Sequence, residues 1–176
     1  IYREDGQTAR SAAEHERIAA EATDPVLSRE ALLVAGDLYE EAEETERALG
    51  LYERYVGEYP SPLDTALEIR TRMAELYDER GDEALYHDEL RRIVALDQDG
   101  GPQRSERTRF LAAKSALVLA ELLYEQFAAH EVLQPLEQNL AEKQARMDAA
   151  MAAFEQLVDP DLYNNLVTNH ALIMVF

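Results

Sequence analysis

The chain has 176 residues, 47% of them hydrophobic and 30% charged, and 17 basic against 36 acidic residues give a formal net charge of −19. Only seven glycines and six prolines set aside a collagen-like or disordered chain, and the charge makes nucleic acid and anionic membrane surfaces poor partners. With no cysteine, disulfides, zinc fingers and thiol catalysis fall away together, and the redox compartment stays undetermined.

Ala13, Ala20 and Pro25 fit the closing helix of a partial repeat before residue 28. The next stretch, Arg29 to Pro60, is the most regular in the chain. Leu32, Ala35, Gly36 and Tyr39 recur at i, i+3, i+4 and i+7, one face of a helix. Ala48, Tyr52 and Tyr55 form a second such face, and Pro60 stops it. Small residues at Gly36 and Ala48 let two backbones approach, and Tyr39 and Tyr52 supply bulk beside them.

The pattern recurs 38 residues further on, over 65–98. Ala74 and Tyr77 take the places of Gly36 and Tyr39, Leu90 replaces Tyr52, and Ile93-Val94 replaces Tyr55-Val56. Gly81 falls at the helix-to-helix turn with Asp82 as the next N-cap, and Ser61 to Asp64 reads as a loop insertion. A third repeat, 105–160, is stretched. Ala120 and Tyr124 close its first helix, Ala150, Phe154, Leu157 and Val158 form its second, and Tyr124 to Phe154 spans 30 residues where Tyr39 to Tyr52 spans 13. Either the helices are longer or an extra element sits near Gln134-Pro135. Residues 161–176 end in an apolar run, and they read as a truncated further repeat or a loosely packed tail.

The order small, aromatic, Ala, aromatic, Pro at these offsets resembles a tetratricopeptide repeat, whose period is about 34 residues. The resemblance implies an all-α fold in which antiparallel helix pairs stack as a solenoid over 1–160, with repeats at about 29–60, 65–98 and 105–160. RTRFLAAKSALVLAELLYEQF at Arg107 to Phe127 and PLEQNLAEKQARMDAAMAAFEQLVD at Pro135 to Asp159 are further similar to large repeat proteins of the Gram-negative cell envelope, including those of gliding motility. That likeness favours an envelope or periplasmic location, with the cytoplasm as the alternative. It casts the chain as an interior piece of an assembly scaffold.

In tetratricopeptide proteins the first-helix positions opposite the packed face line a concave groove. Here they are Leu33, Asp37, Glu40 and Glu41 in the first repeat, and Arg72, Glu75, Asp78 and Glu79 in the second, with Glu68 beside them. The third repeat offers Val118 and Leu122, with Leu119 between them. The resemblance thus implies an acidic groove that becomes apolar, suited to a protein or peptide segment with basic residues and an aliphatic anchor. Simple solvation of exposed faces is the alternative, with Val118 and Leu122 packed under the insertion. The family's clamp for a C-terminal carboxylate does not fit, because acids stand where cations are required and only Arg72 is positive.

Chemistry-bearing patterns are missing. His15, His87, His130 and His170 are scattered without a metal-ligand spacing. Asp97-Gln-Asp99-Gly-Gly departs from a calcium loop and reads as a linker, and there is no phosphate-cradling glycine loop or GxSxG. Neither a catalytic residue, a metal site nor a cofactor is expected, and the chain reads as no enzyme. Arg104, Arg107, Lys114, Arg91 and Arg92 form a basic stripe whose simplest role is pairing with the surplus carboxylates. No stretch approaches the roughly 20 apolar residues of a membrane span, and a start at Ile1 rather than Met points to a fragment or processed form. Two functions remain: an interaction scaffold that holds a partner segment in its groove, or an architectural spacer in a longer array with no ligand of its own.

Overall fold

The computed structural model describes residues 2–131 and 136–157. Among them there are seven α-helices and no strand: α1 Tyr2–Glu21, α2 Pro25–Glu41, α3 Thr45–Glu58, α4 Leu63–Glu79, α5 Glu83–Asp99, α6 Glu106–Ala129 and α7 Leu136–Leu157. The fold class is all-α. The chain divides into two compact units, Ile1–Tyr86 and His87–Phe176, the division falling within α5. In the first, α1 packs on α2, α2 on α3 and α3 on α4; in the second, α6 packs on α7. Helices lying against their sequence neighbours through short connections are compatible with a helical repeat.

Local chemistry explains the boundaries. The Asp24 side chain accepts a hydrogen bond from the Val26 amide at 2.9 Å, and Pro25 fills the first helical position, where its missing N–H costs nothing. Pro25 therefore starts α2, whereas the sequence pattern placed it at the end of the helix upstream. The buried alanines of α1 are Ala12 and Ala19, one residue before the expected Ala13 and Ala20, which are exposed.

The turns that end α2 and α4 are the same turn, 38 residues apart. After α4 the Gly81 amide donates to Asp78 O and the Asp82 amide to Tyr77 O, both at 2.9 Å, around a left-handed Gly81 with φ 75°. After α2, Glu43 donates to Glu40 O and Glu44 to Tyr39 O, at 2.9 and 2.8 Å, around Glu43 with φ 59°. A glutamate accepts there a conformation that glycine adopts freely, at a cost of about 1–2 kcal/mol. The Asp82 carboxylate pairs with Arg80 at 2.9 Å. Leu63 and Asp64, expected in an inserted loop, form the first turn of α4 instead.

The core of the first unit matches the expected face: Leu32, Ala35, Tyr39, Ala48, Tyr52 and Tyr55 are all buried. A Cβ on Gly36 would stand 2.6 Å from Cε1 of Tyr52, so the glycine gives that ring its place in the seam between α2 and α3, and any larger residue must displace it. Tyrosine hydroxyls then reach carboxylates on the preceding helix: Tyr39 donates to Glu16 at 2.9 Å and Tyr77 to Glu53 at 3.0 Å. A buried ring thus fills space while its polar tip is satisfied.

The second unit keeps part of this plan. Leu90, Ile93, Leu111, Ala112, Ala113, Ala120 and Ala150 are buried. The 30-residue spacing from Tyr124 to Phe154 is taken up by helix length, with 24 residues in α6 and 22 in α7. Ser105 and Thr108 cap α6 reciprocally, each side chain accepting from the other's amide, at 3.1 and 3.0 Å. One position departs from the first unit, and one expectation fails. Tyr124, aligned with the buried Tyr39, is 54% exposed. Asp97 is no linker residue: it is buried in α5, where Arg104 donates to it at 2.8 and 3.0 Å. Gln134-Pro135, Val158 and the tail 161–176 lie outside the described residues.

Candidate functional site

Three helices of the first unit converge on one cleft. Leu33 and Asp37 come from α2, Tyr52 from α3, and Thr65, Glu68, Ile69 and Arg72 from α4, around an open volume of about 330 Å³. The α2 positions follow from periodicity, because a helix that buries Leu32, Ala35, Gly36 and Tyr39 turns Leu33 and Asp37 the other way. Leu33 and the buried Ile69 give the cleft an apolar component, and Asp37 and Glu68 place two carboxylates on it.

Tyr52 organises these acids from below. Its hydroxyl lies 2.7 Å from Asp37 Oδ1 and 3.0 Å from Glu40 Oε2. One hydroxyl proton serves one carboxylate at a time, and the shorter contact gives it to Asp37. Glu40 is compensated from the other side, where Arg72 donates from Nε to Oε2 at 2.8 Å and from Nη2 to Oε1. This bidentate pair ties α2 to α4 across 32 residues of sequence. Arg72 also approaches Glu75 at 3.5 Å. Burial, followed by the Asp37 and Glu40 carboxylates, pushes the Tyr52 phenol far above the usual tyrosine range. Its proton is therefore held at every ordinary pH. The Arg72 guanidinium is likewise raised, chiefly by its hydrogen bond to Glu40.

The residues singled out from sequence separate into four groups. Leu33, Asp37 and Arg72 line the cleft, and Glu40 lies at its edge with a side chain only 16% exposed. Glu75 stands beside Arg72, outside the lining. Glu41, Asp78 and Glu79 are exposed and do not line the cleft; Asp78 and Glu75 instead add their charge to the burial that raises the Tyr86 phenol. Val118 and Leu122 belong to the second unit, both half-buried. Leu122 lines a separate cavity of about 400 Å³ with Val94, Leu119, Leu123 and α7 alanines, and Val118 is not part of that lining.

Within the face that the sequence assigns to an acidic groove turning apolar, Asp37 and Glu40 are engaged by Tyr52 and Arg72. Tyr52 was the residue that sequence reasoning did not place at the site. Periodicity and size make it core filler, although a buried tyrosine next to acids one helix away must find a hydrogen-bond acceptor. The basic stripe behaves as simple pairing predicts where contacts are seen: Arg91 meets Asp88 at 2.6 Å, Arg92 meets the buried Glu89 at 2.5 Å, and Arg104 meets Asp97.

Among the described residues no cluster of three or more His, Asp or Glu side chains could hold a metal ion. No helix among them is long and apolar enough to cross a membrane. Comparison with family models, with curated proteins and with solved structures returns no match.

Proposed function

We propose that this chain is a tetratricopeptide-like scaffold, part of an α-solenoid, whose α2–α4 cleft binds a basic side chain on an extended segment of a partner protein. The observation that carries this reading is the cleft's composition. Leu33 and Ile69 suit the aliphatic stem of a Lys or Arg, and Asp37 and Glu68 suit its cationic head. Arg72 sets the position of the incoming charge, since like charges repel and the cation must settle toward Asp37 and Glu68. The role needs no catalytic group and no cofactor.

A fluorescent peptide rich in Lys and Pro, unable to form a helix, tests the reading by anisotropy. Replacing both Asp37 and Glu68 by Lys should weaken binding by about tenfold or more, or roughly 1.4 kcal/mol, with the helical circular dichroism unchanged. Equal binding by parent and variant would overturn it. The spacer reading draws on a different observation, the Arg72–Glu40 pair, which fastens one helix pair to the next and serves rigidity with no ligand. It predicts that the peptide binds neither protein.

A further inference from the structure

We infer that the exposed seam of α6 and α7 is a second docking surface, one that receives an amphipathic helix with basic flanks from a partner protein. Tyr124 and Met151, 54% and 53% exposed, come from different helices and line one groove of about 330 Å³ with Phe127, Met147 and Phe154. Scattered exposed apolar residues are ordinary, whereas large ones that converge mark an interaction surface. On α7 the stripe runs at i, i+4 and i+7 from Met147 to Phe154, about 10 Å at 1.5 Å per residue. That is two helical turns, the length that anchors at i, i+3 or i+4, and i+7 of a docked helix require. Two methionines supply an adaptable wall for such anchors.

Charge selects the occupant. Glu155 lines the groove itself. Asp148, three residues before Met151, and Glu121, three before Tyr124, are exposed one step around their helices, so acids stand beside both apolar stripes. The one lysine close by is committed: Lys143 Nζ donates to His130 O at 2.9 Å and lies 5.0 Å from the Phe127 ring centre. A second copy would oppose acid to acid between chains that each carry −19. Residues 158–176 hold no Lys or Arg, so the chain's own terminal stretch offers no complement to these rims. A foreign helix bearing Lys or Arg beside its apolar stripe matches both features. The surface is separate from the α2–α4 cleft and does not depend on it.

The test uses the whole 176-residue chain and a fluorescent helical peptide with Leu at i, i+3 or i+4, and i+7 and Lys on both flanks. Its control carries Glu in place of Lys. The Lys peptide should bind and the Glu peptide should not, with affinity falling as salt rises. Tyr124→Ser with Met151→Ser, and separately Glu121→Lys with Glu155→Lys, should each weaken binding by about tenfold or more. These side chains are exposed, so circular dichroism should stay unchanged. Asp37→Lys with Glu68→Lys should leave helical-peptide binding intact, which keeps failure here distinct from failure of the cleft. Equal binding of the two peptides, binding of neither, or indifference to the seam variants overturns the inference. So does a concentration-dependent dimer that Tyr124→Ser abolishes, which gives the seam to a second copy. Tighter peptide binding by Leu172→Ser with Ile173→Ser overturns it too, by giving the seam to the chain's own last residues.

Discussion

Tyr39 and Tyr124 occupy matching places in the repeated pattern, yet Tyr39 is 1% exposed and Tyr124 54% exposed. The residue three before each differs as well. Before Tyr39 it is Gly36, whose missing Cβ lets the ring of Tyr52 lie against the backbone of α2. Before Tyr124 it is Glu121, a solvated acid with no such vacancy to offer. Tyr39 is also covered by α1, to which its hydroxyl is bonded through Glu16, while Arg47 lies 5.2 Å from its ring centre. Similar spacing thus produced a closed aromatic core in the first unit and an open aromatic groove in the second. Periodicity says which way a side chain turns, and the neighbouring helix decides whether it is covered.

The largest test of this contrast is truncation of the rings themselves. Tyr52→Ala should lose about 3–5 kcal/mol, the usual cost of emptying a large buried aromatic site. Tyr124→Ala should stay within about 0.5 kcal/mol, as expected of an exposed side chain. Urea denaturation followed by circular dichroism measures both, and comparable losses would mean that Tyr124 is packed after all. Next comes Gly36→Ala. Helix propensity alone favours alanine by about 1 kcal/mol, but the Tyr52 ring is held by its buried surroundings and its bond to Asp37, so overpacking should prevail with a net loss of about 1–3 kcal/mol. A stabilised variant would show that the ring can yield.

The smallest effect concerns the hydroxyl. Tyr52→Phe should cost about 0.5–1.5 kcal/mol near neutral pH, since Asp37 is exposed and water can replace the phenol. Its signature lies in alkali. Burial raises the phenols of Tyr39 and Tyr52 above their unfolded value near 10, and their carboxylate partners raise them further. The folded state then holds a proton that the unfolded state releases, so the stabilisation is complete below about pH 10 and is lost progressively as pH rises beyond it. Thermal melts from pH 8 to 11 should show this decline in the parent and a shallower one in Tyr52→Phe. Parallel curves would remove Tyr52 as the source.

Much of the fold was legible because its signals are local. The helix faces around Leu32 to Tyr39 and Ala48 to Tyr55, the turn at Gly81 and the 38-residue offset all rest on spacing and turn chemistry within a few residues. Errors arose where one residue type serves two roles. Pro25 fits the end of one helix and the start of the next, and only the Asp24 cap separates the two. Asp97 sits in a loop-like run of Asp and Gly, yet its burial beside Arg104 keeps it helical. The candidate site was legible in part. Leu33, Asp37, Glu40 and Arg72 were found by turning the helix away from its packed face. Tyr52 was not, because its hydroxyl acts on residues 12 and 15 positions away through a contact between helices.

From sequence alone come the all-α class, the helix pairs, the small residue at position 36 and the acidic character of the exposed faces, since each follows from helical periodicity, side-chain size or charge. Tertiary structure decided that Arg72 crosses to Glu40, that Asp37 shares a cleft with Glu68 and Ile69, and that Tyr124 faces solvent beside Met151. The physical reason is reach. A helical repeat specifies direction every 3.6 residues, whereas ion pairing, shared clefts and burial depend on which helix lies alongside and how close it comes.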